Sequence, residues 1–255
     1  MNQLRAIDRL ETAPRHTEQD AIRLNRQFRG SDTDEMLRAV IEDGIAGDAA
    51  IVSSFGAESI VLLHLVTRVA PDIPVLFLET GKHFPETLAY RDEVAERLGL
   101  NLVNLHPDFD ELAAKDETGL RWSYDPDGCC EIRKVKPLTR ALIDYESTFT
   151  GRKAYQNSGR ATLPRFEIDT SDAMGRLKIN PLIDWDASHI EGYLIQHDLP
   201  RHPLVALGYP SIGCSPCTTK VAPGEDPRSG RWKGWDKTEC GIHQPGTDEA
   251  DQPYF

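Results

Sequence analysis

The sequence predicts an α/β fold in which a parallel sheet is covered by helices. Short apolar runs at 49–54, 73–78 and 101–105 read as buried strands. Helix-like segments at 60–69 and 85–98 fall between them, and this strand–helix alternation is the order a parallel sheet needs. A Ser/Gly turn closes the first strand, where such sheets turn into a helix.

Taken in order, residues 1–46 read as helical. Leu4, Ile7 and Leu10, then Ile22, Leu24 and Phe28, then Met36, Leu37, Val40 and Ile41 recur at roughly helical spacing. The sheet segments follow, with 145–150 and 176–180 as further strands and 186–197 as a helix. After Ile212 the chain is rich in Gly, Pro and charge with little apolar periodicity, so 213–255 is expected to be a mobile C-terminal tail or lid. The expected division is therefore an N-terminal helical segment (1–46), a nucleotide-binding α/β domain (47–212) and that tail.

With 39% hydrophobic residues in 255, the chain can bury an ordinary core. No apolar run of about 18 residues suggests a membrane span, and the polar N-terminus has no signal-peptide core. A cytoplasmic protein is expected, and in that reducing compartment cysteines bind metals or do chemistry more often than they staple. A net charge of −12 argues against nucleic acid as a partner. Local basic clusters (Arg152, Lys153, Arg160 and Arg165, then Lys220, Arg228, Arg231 and Lys233) fit a small anionic ligand instead.

The turn Ser53-Ser54-Phe55-Gly56-Ala57-Glu58-Ser59 offers backbone N–H groups, hydroxyls and a helix start to an anion. It resembles the phosphate loop of the adenine-nucleotide PP-loop superfamily, with Phe55 and Glu58 where a second glycine and an aspartate would fall. That form is similar to the loop of sulfonucleotide reductases, which bind an adenylated sulfate. Glu79-Thr-Gly-Lys-His-Phe-Pro-Glu-Thr87 resembles the same family's strand-end motif, with Glu79 in place of Asp. The resemblance implies a Rossmann-like PP-loop fold and places Ser53, Ser54 and Gly56 at the substrate.

Five cysteines divide as four plus one. Cys129 and Cys130 are adjacent, and Cys214-Ser-Pro-Cys217 follows 84 positions after Cys130. A Cys-x-x-Cys turn serves zinc and iron–sulfur sites alike. Adjacent cysteines project in different directions, which favours a [4Fe–4S] cluster over a single zinc ion without excluding zinc. If the backbone there is helical, Lys134 falls on the face of Cys130, while Pro137 limits how far that helix runs unbent. Gly128-Cys-Cys-x-x-Arg-Lys-x-x-Pro137 with a distant Cys-x-x-Cys resembles the pattern of iron–sulfur-containing assimilatory adenylylsulfate reductases. The resemblance implies that Cys129, Cys130, Cys214 and Cys217 hold a [4Fe–4S] cluster.

Cys240 stands apart in Lys237-Thr-Glu-Cys-Gly-Ile-His243, where positive charge from Lys237 and His243 would favour its thiolate. Glu-Cys-Gly-Ile-His resembles the family's catalytic signature, and Arg228-Ser-Gly-Arg231-Trp232 its Arg-x-Gly-Arg-Trp element. The resemblance implies reductive cleavage of adenosine 5′-phosphosulfate to sulfite and AMP. Cys240 would be the nucleophile, with Lys134, Arg152, Arg228, Arg231 and His243 near the phosphosulfate. Thioredoxin would be the electron donor, and self-association into a homo-oligomer is left open. Two alternatives are a reductase of the 3′-phosphorylated nucleotide, which predicts no cluster, and a non-catalytic iron–sulfur or zinc redox sensor, which leaves the Cys240 motif unused.

Overall fold

A computed structural model of the chain describes residues 15–156, 160–169 and 175–242. Two helices come first, α1 (Glu18–Gln27) and α2 (Thr33–Glu42). Thr17 and Asp20 cap α1 reciprocally, and the Asp32 carboxylate accepts from the Asp34 and Glu35 N–H groups to start α2. Leu24, Phe28, Met36, Leu37 and Val40 are buried as their helical spacing predicts, whereas Ile22 is half exposed, and Leu4, Ile7 and Leu10 lie outside the described residues.

Six strands form one sheet: β1 (Ala49–Val52), β2 (Pro74–Leu78), β3 (Asn101–Leu105), β4 (Ser147–Phe149), β5 (Phe166–Asp169) and β6 (Arg176–Ile179). Their spatial order is β3-β2-β1-β4-β6-β5. All neighbours pair in parallel except β5, which runs antiparallel to β6 at the edge. The crossovers are α3 (Ser59–Thr67) and α4 (Pro85–Leu98), and α5 (Phe109–Lys115), α6 (Pro126–Cys130) and α7 (Lys136–Leu142) lie between β3 and β4. The last helices are α8 (Ala187–Gln196) and α9 (Pro203–Ala206). The predicted α/β class with a parallel, helix-covered sheet is thus observed.

Local chemistry explains the limits of these elements. Helix α3 is buried almost all round through Ile60, Val61, Leu62, Leu63, Leu65 and Val66, each side chain worth about 1.5–3 kcal/mol of burial. Pro85 opens α4, and Gly99 closes it in the left-handed region (φ 61°), which costs glycine no Cβ clash. Pro137 does not end the helix that carries the first cysteine pair. Residues Glu131–Val135 form a wider, π-type turn between α6 and α7, and the Lys136 N–H donates to the Glu131 carbonyl. The Pro137 ring, which cannot donate, is absorbed at the first turn of α7.

The order in which strands are added to the sheet reverses between β1 and β4, which are themselves parallel. Later strands run outward on one side through β2 and β3 and on the other through β6. That reversal opens a crevice at the carboxyl ends of β1 and β4, where open α/β sheets bind ligands. Of the stretch expected to be a tail or lid, residues 213–242 are folded down over this crevice. Thr218 bridges antiparallel to Arg231, the Thr219 N–H donates to the Gly230 carbonyl at 2.8 Å, and Trp232 is buried.

Candidate active site

The crevice is a cavity of about 560 Å³. Its floor is the loop after β1, where Ser53 Oγ accepts from the Phe55 N–H at 3.2 Å. Phe55 takes the left-handed conformation (φ 47°) suited to the glycine it replaces. That strain costs about 1–2 kcal/mol and is offset by full burial of the ring, which packs edge-on against Phe77 with centroids 5.5 Å apart. Glu58 reaches across the mouth, accepting from the Tyr155 hydroxyl at 2.8 Å and pairing with Lys153 at 3.0 Å. Glu58 therefore ties the loop after β1 to the loop after β4.

Ser53, Ser54, Gly56, Lys134, Arg152, Arg228, Arg231 and Cys240 all line this one cavity. His243, the remaining expected contact, lies outside the described residues. Arg152 is held by Glu167, Thr150 and Asn180, and burial followed by repulsion from Arg160 pushes its pKa down to about 10. Arg231 stacks on the Trp232 ring, 4.4 Å from its centroid, and the Arg231 Nε is buried without a hydrogen-bond partner. Gly213 lies against the opposite side of that guanidinium, where a Cβ would fall 2.2 Å from Nη2.

Beside the large cavity is a small one of about 10 Å³, lined by Cys129, Cys130, Cys214 and Cys217 together with Trp122, Arg133, Lys134, Arg231 and Trp232. The four paired cysteines therefore converge although 84 residues separate the pairs. None is in a disulfide, and Cys214 Sγ lies 3.4 Å from Thr80 Oγ1. Among the described residues no three His, Cys, Asp or Glu side chains are grouped tightly enough to hold one metal ion. Four sulfurs without oxygen or nitrogen donors, walled by cations, match a multi-atom cluster of net negative charge better than a single ion. The donor set fits such a group.

Electrostatics divides the thiols. Burial pushes Cys129 up to about 11 and Cys130 up to about 12. Burial also opposes ionisation of Cys214, but Lys134, Thr80 and Arg231 outweigh it and bring its pKa below the ordinary thiol value. Lys134 is half-buried, which disfavours its charge, yet the neighbouring sulfurs of Cys214, Cys240 and Cys130 hold its pKa above normal. Lys134, Cys214, Arg231 and Trp232 line both cavities, so one set of side chains forms the wall between them.

Residues 48–220 match the model of the phosphoadenosine phosphosulfate reductase domain. The chain belongs to this family. The adenosine 5′-phosphosulfate reductase of Chelativorans sp. is 54% identical over 202 residues, which cover 78% of this chain and 80% of that protein. The enzyme of the same name from Mesorhizobium japonicum is 51% identical, covering 78% and 77%. Among solved structures, phosphoadenylyl-sulfate reductase from Candida auris superposes with a TM-score of 0.69 at 25% identity, over 82% of this chain and all of that one.

Within this reductase family member, several cavity residues were not singled out from the sequence. Tyr155, Gln156, Glu239 and Asp226 line the cavity with Lys153 and Arg160. The mid-chain basic cluster pointed towards Lys153 and Arg160 only collectively, and it also contained Arg165, which binds Asp184 and the Phe28 and Ser31 carbonyls. Glu239 stands next to Cys240 in the quoted motif, which was its one signal.

Proposed function

We propose that the chain reduces adenosine 5′-phosphosulfate to sulfite and AMP through Cys240. The observation that carries this reading is Cys240 on the wall of a cavity whose other walls are the loop after β1 and the cations Lys134, Arg152, Arg228 and Arg231. The 54% identical relative named for this reaction supports the same substrate.

The Cys240 thiolate attacks the sulfate sulfur. An S–S bond forms, the S–O bond to the phosphate breaks, and AMP leaves with that electron pair. Attack places an anion on an anionic centre, and the cations lower that barrier by offsetting charge on the phosphosulfate. The loop after β1 presents its N–H groups and hydroxyls to the phosphate. A dithiol donor of the thioredoxin class then attacks Cys240 Sγ, sulfite leaves, and the donor's second thiol resolves the mixed disulfide. The donor dithiol loses two electrons, sulfur(VI) becomes sulfur(IV), and Cys240 is restored. This second step requires the Cys240 loop to present its adduct outside the cavity, which is consistent with a lid made of loops.

Cys129, Cys130, Cys214 and Cys217 would hold a [4Fe–4S] cluster. When bound, it supplies charge and rigidity beside Lys134, with no electron transfer required by the chemistry above. In the reducing cytoplasm its thiolates and Cys240 would stay available.

The test is sulfite release under anaerobic conditions with a thioredoxin donor. Cys240→Ser is expected to lose at least about 10³-fold in kcat with iron content unchanged. Full activity in that variant overturns the assignment of Cys240. The Candida auris likeness favours a second reading, reduction of the 3′-phosphorylated nucleotide. Equal or faster turnover of that nucleotide in the same assay would establish it.

A further inference from the structure

The cavity contains an anion of its own. Three carboxylates line it: Glu58, Asp226 and Glu239. Glu58 is taken up by Lys153 and Tyr155, and Asp226 accepts from the Arg228 backbone N–H at 2.7 Å. Glu239 is different because it lies between two arginines of the cavity wall. Arg160 Nε and Nη2 donate to its Oε1 at 3.0 and 2.8 Å, and Arg228 Nη2 lies 3.3 Å from its Oε2. Only 22% of its side chain is exposed, with 13% and 19% for the arginines, so these contacts are shielded from solvent.

We propose that Glu239 is a built-in stand-in for the substrate anion, and that the sulfated phosphate of the nucleotide displaces it from Arg160 and Arg228. The guanidinium fork pairs with carboxylate, phosphate or sulfate oxygens through the same geometry. Burial lowers the Arg228 pKa even though Glu239 opposes the shift, and repulsion from Arg160 and Arg231 adds to the lowering. Without an internal anion the empty cavity would hold this repulsion uncompensated. The exchange also has a mechanical consequence, since Glu239 is joined directly to Cys240. A carboxylate expelled from the arginines removes a side-chain tether of the nucleophile's segment, while the Arg228 Nη2 bond to the Thr238 carbonyl at 2.7 Å remains.

This inference rests on the proposed substrate. It assigns Glu239 as a positioning residue that competes with that substrate, which a purely structural ion pair would not do. The apparent affinity is reduced by the fraction of molecules whose arginines are free. The decisive experiment is equilibrium binding of adenosine 5′-phosphosulfate to the full-length, iron-replete chain made non-reactive by Cys240→Ser, with and without Glu239→Gln. Adenosine serves as the neutral probe and Glu239→Asp as the charge-retaining control.

The expected result is that Glu239→Gln binds the nucleotide about five- to tenfold tighter. Adenosine affinity should be unchanged, and Glu239→Asp should stay near the parent. In the Cys240-containing chain the same Gln variant should lower KM without raising kcat. Unchanged or weaker nucleotide binding in the folded Gln variant overturns the proposal while leaving the substrate assignment intact. Failure of both proteins to bind the nucleotide at all overturns the two readings together.

Discussion

Asp116 illustrates how single residues hold this site together. Its side chain is fully buried and accepts from the Arg121 backbone N–H at 2.8 Å and from Arg133 Nη2 at 2.6 Å. Arg133 Nη1 in turn donates to the Thr80 carbonyl, so one ion pair fixes the helix of Cys129 and Cys130 to the loop after β2. Burial raises the Asp116 pKa, but the Arg121 N–H and Arg133 outweigh it and hold it below the ordinary carboxylate range. Asp116→Asn leaves the Arg133 charge buried without its counter-ion, a loss of about 3 kcal/mol in urea unfolding at pH 7. A depressed carboxylate stabilises fully above its unfolded pKa and loses that contribution as pH falls through and below about 4. The wild-type chain should therefore lose more stability than the variant over that acid range, so the two unfolding curves converge. That the paired cysteines and the arginines would gather around neighbouring cavities was readable from their motifs. Their partners were not, because the Glu58–Tyr155 contact joins segments 97 residues apart, and a single carboxylate such as Asp116 leaves no local pattern.

Elements were legible where period and length agreed. The segments at 85–98 and 101–105 match α4 and β3 to the residue, and 60–69 shifts by only a residue or two against α3. Strand β5 was not foreseen. It is four residues long, Phe-Glu-Ile-Asp, and gains its place by pairing with β6 rather than from any apolar run. The π-type turn was likewise hidden, because Pro137 predicts a limit and only the wider turn shows how it is avoided. The segment around Gly213 carries a direct test. Its missing side chain leaves room for the Arg231 guanidinium against Trp232, and a methyl group would meet Nη2 and Cζ at 2.2 and 2.5 Å. Gly213→Ala should displace Arg231 and lower kcat/KM for the nucleotide by at least about tenfold. Its thermal unfolding should remain within a few degrees of wild type, since the displaced group is a side-chain end rather than backbone.

At the scale of the whole molecule, an acidic protein of net charge −12 lines one crevice with six Lys and Arg side chains against three carboxylates. Attraction inside the crevice and repulsion outside make anion capture sensitive to salt, because the Debye length falls from about 10 Å at 0.1 M to about 3 Å at 1 M. KM for the sulfated nucleotide should rise several-fold between low salt and about 0.5 M NaCl, with kcat changing much less. A flat KM would indicate that neutral contacts dominate binding. Among the described residues no helix is long and apolar enough to cross a membrane. The fold's order along the chain has a further consequence, in time rather than space. Cys129 and Cys130 leave the ribosome 84 residues before Cys214, an interval of roughly 4–17 s at about 5–20 residues per second. By then all six strands have been made, while Arg231 and Trp232, which help line both cavities, are still to come. Any group gripped by all four sulfurs can be seated only after the whole sheet has been made, so maturation of this site follows the synthesis of the fold that carries it.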